Sequence, residues 1–184
     1  MAHNLKQHLL LTGLPGAGKT SVLLRALDVL RARGYEIGGM ISREVRERGI
    51  RVGFEIADFK TGRKGWLARA NQPTGPRIGK YRVNLSDLNS IGASSILEAV
   101  ESDDMIVVDE IGLMELFSSD FKEAVMTALN SSKVMIGTIH YVARDPFIST
   151  VKAREDVQIL EVTHENRTSL HKVLVGRVLQ FMKG

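Results

Sequence analysis

Between residues 8 and 34 the chain runs from an apolar stretch through a glycine-rich turn into an amphipathic segment, and no other feature restricts its fold as much. Leu9-Leu10-Leu11-Thr12 is a short apolar run of the kind that forms a buried strand. From Ser21 to Arg33, Val22, Leu23, Ala26, Leu27, Val29 and Leu30 recur at helical spacing. Arg25, Asp28, Arg31 and Arg33 fall on the other face, and Gly34 suits the position past the helix end. Between the two stands Gly13-Leu14-Pro15-Gly16-Ala17-Gly18-Lys19-Thr20, which matches G-x-x-x-x-G-K-[ST] in the strand-then-helix context that gives the pattern its mechanism.

That mechanism is phosphate binding. Gly13, Gly16 and Gly18 let the backbone curl with its N–H groups inward, and the helix behind them offers free N–H groups and the positive end of its dipole to the same anion. Lys19 reaches the β- and γ-phosphates, and the Thr20 hydroxyl becomes a ligand of Mg²⁺, the one cofactor expected. The nucleotide-binding set is thus Gly13, Leu14, Pro15, Gly16, Ala17, Gly18, Lys19, Thr20 and Ser21.

Composition narrows the rest by exclusion. A length of 184 residues suits one domain covering residues 1–184, which would bury about 70 % of its unfolded surface. There is no cysteine, which excludes disulfides, zinc–thiolate sites and cysteine nucleophiles, and the five histidines show no ligand spacing. The formal charge of +4 fits a nucleotide partner; no block of like charges indicates nucleic acid, although it is permitted. The run Leu9-Leu10-Leu11 is too short for a signal peptide, and no stretch is long and apolar enough to span a membrane. A cytoplasmic monomer is expected.

Along the chain, Met1 to Gln7 reads as a loosely ordered lead-in. Tyr35 to Val45 and Ile50 to Phe59 read as strands joined by Arg46-Glu47-Arg48-Gly49, with Val52, Phe54 and Ile56 alternating against polar neighbours. Trp66-Leu67-Ala68 and Tyr81 to Asn84 are further short strands, and Asn71 to Lys80, rich in Pro and Gly, is a surface loop with a mobile lid as the alternative. Leu85 to Glu101 is helical, interrupted by Gly92. Met105-Ile106-Val107-Val108-Asp109-Glu110 reads as a buried parallel strand ending in two carboxylates. Asp120 and Glu123 box a helix to Asn130, Val134 to His140 is a strand, Asp145-Pro146 starts a helix through Lys152, and Val157 to Val162 is the last strand. Glu165 to Met182 closes the chain as a helix burying Leu170, Val173, Leu174, Val178 and Phe181. The expected fold is three-layer α/β with a mostly parallel sheet extended by an antiparallel hairpin.

In such sheets ligands bind beyond the carboxyl ends of the strands, which brings the loop together with Asp109, Glu110, Thr138 and His140. Asp109 is expected to hold the metal with Thr20. Glu110 can accept the proton of a water aligned with the γ-phosphorus, so Glu110 and Lys19 are the expected catalytic pair. Thr138 and His140 are candidate γ-phosphate sensors. Arg144 and Arg167 are candidate stabilisers of the leaving charge, with Arg43, Arg46 and Arg154 behind them.

At this point the chain resembles the THEP-type, or cancer-related, nucleoside-triphosphatase family. The resemblance rests on Thr12 to Thr20, on Glu44-Val45-Arg46 with Arg51-Val52-Gly53-Phe54, and above all on Val108-Asp109-Glu110-Ile111-Gly112-Leu113-Met114-Glu115-Leu116-Phe117-Ser118. Gly137-Thr138-Ile139 and Thr163 with Glu165-Asn166-Arg167 add to it. It implies a RecA-like P-loop NTPase fold and Mg²⁺-dependent hydrolysis of ATP, GTP and other NTPs to NDP and phosphate with broad base tolerance. The family commonly has Lys where this chain has Leu113 and Glu where it has Arg43, so slow turnover is expected unless another cation substitutes. The alternatives are a P-loop nucleoside or nucleotide kinase, and a nucleotide switch or nucleic-acid-associated ATPase. Glu110 argues for water as acceptor, no Asn-Lys-x-Asp tetrad reads guanine, and no aromatic-basic stacking surface is evident in the sequence.

Overall fold

Three apolar runs become the middle of the parallel half of the sheet because only parallel strands covered on both faces can bury them completely. They are β1 (His8–Thr12), β7 (Met105–Ile111) and β8 (Val134–Ile139). In the computed structural model, which describes residues 7–183, β8 lies between β1 and β7 in a nine-stranded sheet. The expected loosely ordered lead-in lies outside the described residues, apart from Gln7.

β2 (Ile37–Glu47) joins two kinds of sheet. Its first residues pair in parallel with β7, Ile37 opposite Met105, and from Met40 onward it pairs antiparallel with β3 (Ile50–Asp58). The turn between them is two residues long, with Arg48 and Gly49 at φ 49° and 79°. Positive φ at both positions is the hairpin geometry whose twist matches the strands, so the strands run closer to the tip than the sequence indicates. β4 (Lys64–Arg69), β6 (Tyr81–Val83) and β5 (Arg77–Ile78) continue the antiparallel half, while β9 (Val157–Glu161) pairs in parallel with β1. The breaker-rich stretch 71–80 is therefore not all loop.

One face of the sheet is covered by α1 (Lys19–Ala32) and α6 (Leu170–Phe181). The other carries α2 (Leu85–Asp87), a π-helical stretch Leu88–Ala93, α3 (Ser94–Ser102), α4 (Ser119–Asn130) and α5 (Pro146–Lys152). Gly92 lies in the π-helical stretch, where a Cβ would stand 2.8 Å from Ile56 Cδ1; its bareness lets the helix press against β3.

Two helix starts differ from expectation. Ser118, not Asp120, caps α4, its Oγ accepting from the Phe121 N–H at 3.0 Å. α6 begins at Leu170 because Thr163 and Asn166 exchange side-chain and backbone hydrogen bonds, at 2.8 and 3.3 Å, which hold the preceding residues in turns. The helix then buries Leu170, Leu174, Val175 and Val178, leaving Val173 exposed and Phe181 half-buried. Among the described residues no helix is long and apolar enough to cross a membrane.

Candidate active site

The loop after β1 takes its shape from glycine. Gly13, Gly16 and Gly18 have φ of 146°, 78° and 101°, and a Cβ on Gly13 would stand 2.6 Å from the Val162 carbonyl oxygen. Gly18, left-handed at the N-cap of α1, provides no side-chain cap, which leaves the first N–H groups of α1 for an anion. Lys19 Nζ folds back over the loop and donates to the carbonyls of Gly13 at 2.9 Å and Leu14 at 3.2 Å.

Asp109 is buried where β7 ends. Thr20 Oγ1 donates to its Oδ2 at 3.0 Å, and Thr138 Oγ1, from the neighbouring β8, donates to its Oδ1 at 2.5 Å. The structure thus joins the loop, the acidic strand end and the next strand through one carboxylate, and the Thr138 hydroxyl reaches the site by way of Asp109. Burial pushes the Asp109 carboxyl up to about 6 against the pull of those two hydroxyls. Glu110, joined to it by a cis peptide bond, is half-buried and is also raised by burial, with Lys19 opposing.

A third carboxyl completes the cluster, and sequence reasoning assigned it no role. Glu115, in the short 3₁₀ turn Glu115–Phe117, is 4 % exposed. It and Glu110 close over Gly112, where a Cβ would stand 2.6 Å from Glu110 Oε1 and 2.9 Å from Glu115 Oε2. Burial, then the charges of Glu110 and Asp109, push Glu115 up to about 8, so it holds a proton at neutral pH. The available signal was an acid inside the apolar run Leu113-Met114-Glu115-Leu116-Phe117.

Around these groups opens a cleft of about 480 Å³. Thr20, Asp109, Glu110, Glu115 and His140 line its polar end, and Phe54, Leu67, Ile78 and Met114 its apolar end, with Leu113 at the rim. His140 Nδ1 accepts from the Ala143 N–H at 3.1 Å, and burial together with Lys152 and Lys19 lowers its pKa. The neutral ring therefore carries its proton on Nε2.

The arginines disperse. Arg167 lies against the loop, its Cδ 3.6 Å from where a Gly18 Cβ would be. Arg144 is exposed on the segment after β8. Arg43 borders the cleft but pairs with Glu55 at 2.8 Å, and Arg46 is held by Glu44 and the Gly49 carbonyl. Arg154 binds Asp156, Asn130 and the Leu129 carbonyl at the opposite, amino end of the strands. Buried His8 is bonded there too, to the Leu129 carbonyl and the Met135 N–H.

Geometry and ancestry agree. A model of the NTPase family matches residues 8–175. The chain is 43 % identical to nucleoside-triphosphatase THEP1 of Thermofilum pendens over 94 % of its own length and 95 % of the relative's. It is 39 % identical to the Methanopyrus kandleri protein of the same name over 100 % and 99 %. Among solved structures, a human cancer-related nucleoside triphosphatase superposes with a TM-score of 0.81 at 33 % identity, over 95 % of this chain and 98 % of that one. THEP1 from Aquifex aeolicus, at 24 % identity and a TM-score of 0.80 over 93 % and 98 %, shares the fold. The fold is the α/β P-loop NTPase architecture with an antiparallel extension, and the chain belongs to the THEP1 nucleoside-triphosphatase family.

Proposed function

We propose that this chain is a Mg²⁺-dependent nucleoside-triphosphate phosphohydrolase that converts ATP, GTP and other NTPs to NDP and phosphate, acting as a single P-loop domain and a cytoplasmic monomer. The observation that carries the reading is Glu110, a carboxylate that lines the cleft beside buried Asp109 and its hydrogen-bond partner Thr20. A phosphoryl group held by the loop would present its γ-phosphorus to that cleft, where Glu110 takes the proton of the attacking water. Lys19 gives up its loop carbonyls for the β- and γ-phosphates, and Arg167 supplies a further cation at the loop.

The residues fit Mg²⁺ as its partial holders. Thr20 and Asp109 offer hard oxygens, and Asp109 is a desolvated carboxylate whose charged form a cation would favour. Among the described residues no three acidic or histidine side chains form a complete cage, which suits an ion that keeps waters and phosphate oxygens as its other ligands. When bound, Mg²⁺ neutralises charge developing on the phosphate oxygens. Broad base tolerance follows because all of these groups address phosphate and metal.

The test is phosphate release from ATP, GTP, CTP and UTP with Mg²⁺ and water as the only acceptor, for wild type and Glu110→Gln. Release from several NTPs by wild type, with the variant binding nucleotide but slowed about 10²–10⁴-fold, supports the reading. Wild type that binds MgATP and releases phosphate only when a nucleoside or nucleotide is added would make the protein a kinase instead.

A further inference from the structure

The antiparallel half of the sheet contributes to the site only as a wall of the cleft, yet it holds the chain's positive charge. Residues 46–82 contain ten Lys and Arg against three Asp and Glu, a surplus of seven. The surplus of the whole chain is four, so the remaining residues together carry −3. The pairing register gathers part of this charge. Arg69 on β4 stands opposite Arg82 on β6, and Arg82 stands opposite Arg77 on β5. Cross-strand partners share a face, so three guanidinium side chains leave the sheet in one row, an arrangement that costs stability unless an anion lies over it.

The surroundings of the row are built to hold it open. Gly53 on β3 pairs with Arg69, and a Cβ there would come within 3.2 Å of Arg69 Cγ, so the bare glycine forms the bed of the arginine stem. The Arg69 guanidinium carbon lies 4.2 Å from the centroid of the Trp66 ring. Arg69 Nε is buried without a hydrogen-bond partner, Arg82 donates to the Gly75 carbonyl at 2.9 Å, and none of the three arginines has a carboxylate partner among the described residues. On the same face Glu55 pairs with both Arg43 and Lys64, which leaves one further net positive charge beside the row. The opposite face of these strands buries Leu67, Ala68 and Val83 in the core, whereas α1 and α6, the helices on the arginine side, pack on β1 and β8. On the arginine face Arg77 is exposed, and Trp66, Arg69 and Arg82 are partly exposed.

We propose that this face binds single-stranded nucleic acid, with phosphates along Arg77, Arg82 and Arg69 and a base stacked at Trp66. A sheet that offers an aromatic ring beside a track of cations matches unpaired strands, whose bases are free to stack, better than a duplex, whose bases are not. A membrane surface would require an apolar fringe to insert, and this face is bordered by charged pairs.

Trp66 is the chain's only tryptophan, so its fluorescence reports this face alone, and the readout is independent of hydrolysis. The full chain is titrated with 15-nucleotide oligo(dT) and oligo(U) at several salt concentrations. Saturable quenching is expected, with log K falling against log salt at a slope of about −2, as for roughly three phosphate contacts on a single strand. Arg77→Ala/Arg82→Ala should weaken binding about tenfold or more and flatten the slope by more than one, while phosphate release from MgATP without oligonucleotide stays at the wild-type rate. Absent quenching at low salt, or equal quenching in the double variant, overturns the proposal. So does equal or tighter binding of a 15-base-pair duplex or of vesicles one-third phosphatidylserine, which would give the face to those partners.

Discussion

Replacing Glu115 with glutamine tests whether a proton is stored beneath Glu110. Glu115 is 4 % exposed, and burial with the charges of Glu110 and Asp109 pushes its carboxyl from 4.5 up to about 8. Below about 4.5 the folded and unfolded chains both hold the proton. Between 4.5 and 8 only the folded chain holds it, so stability falls as pH rises; above 8 both release it and the loss is complete. Linkage puts the loss from this one group at about 2 kcal/mol by pH 6, about 3 by pH 7 and nearly 5 by about pH 9. Glutamine copies the protonated acid in size and still accepts from the N–H groups of Gly112 and residue 115, but it does not titrate. Asp109, raised to about 6, sheds its proton over the same lower range in both proteins and cancels in the difference. Urea unfolding at pH 6, 7, 8 and 9 should therefore show the variant gaining on wild type by about 2–3 kcal/mol across the series, a relative midpoint shift of about 1–2 M. A difference constant to within about 0.5 kcal/mol across that range would mean that Glu115 is already ionised at pH 6, and the reasoning fails.

Three further perturbations address the loop and the metal side. Thr138→Val removes the 2.5 Å bond to Asp109 and raises that carboxyl further, so protons compete better with Mg²⁺. The half-saturating Mg²⁺ concentration for turnover should rise several-fold at pH 6.5 and return toward wild type at pH 8.5; an equal shift at both pH values would count against a titrating Asp109. Gly13→Ala forces φ 146° on a side chain and drives its Cβ to 2.6 Å from Val162 O, and it should abolish nucleotide binding by equilibrium dialysis and cost about 2–4 kcal/mol in urea. Leu113→Lys, at the 41 % exposed cleft rim, should raise a slow wild-type kcat by about tenfold without changing stability. An inert variant beside a fast wild type would show that no cation is missing.

What the sequence makes legible is chemistry that is contiguous along it. The loop Gly13 to Thr20 and the pair Asp109-Glu110 each occupy one short run, and three apolar runs suffice to announce a parallel sheet core. β5 is hidden because its two residues become a strand only by pairing with β6, which local pattern does not encode. The start of α6 is hidden for a related reason, since side-chain bonds between Thr163 and Asn166 outcompete a helix that periodicity alone would extend. Glu115 stands out in the sequence only as an acid within an apolar run, and its place in the site depends on the 3₁₀ turn that brings it beside Glu110.

Charge shows the same limit most sharply. A formal +4 spread over 184 residues with no like-charged block reads as an ordinary surface. Arg69, Arg77 and Arg82 are separated by enough chain that no motif joins them, and an aromatic-basic surface cannot be seen until register is known. Pairing then does what proximity in sequence did not: β4, β6 and β5 set the three guanidinium groups side by side and Trp66 beside the first of them. Because side chains alternate between faces, a slip of one residue in the β4–β6 pairing would turn Arg82 toward the core and Val83 outward. The burial of Val83 and Leu67 that stabilises this corner of the fold is therefore the same force that holds the arginine row outward, which makes the row a consequence of core packing and gives any ligand of it a rigid platform.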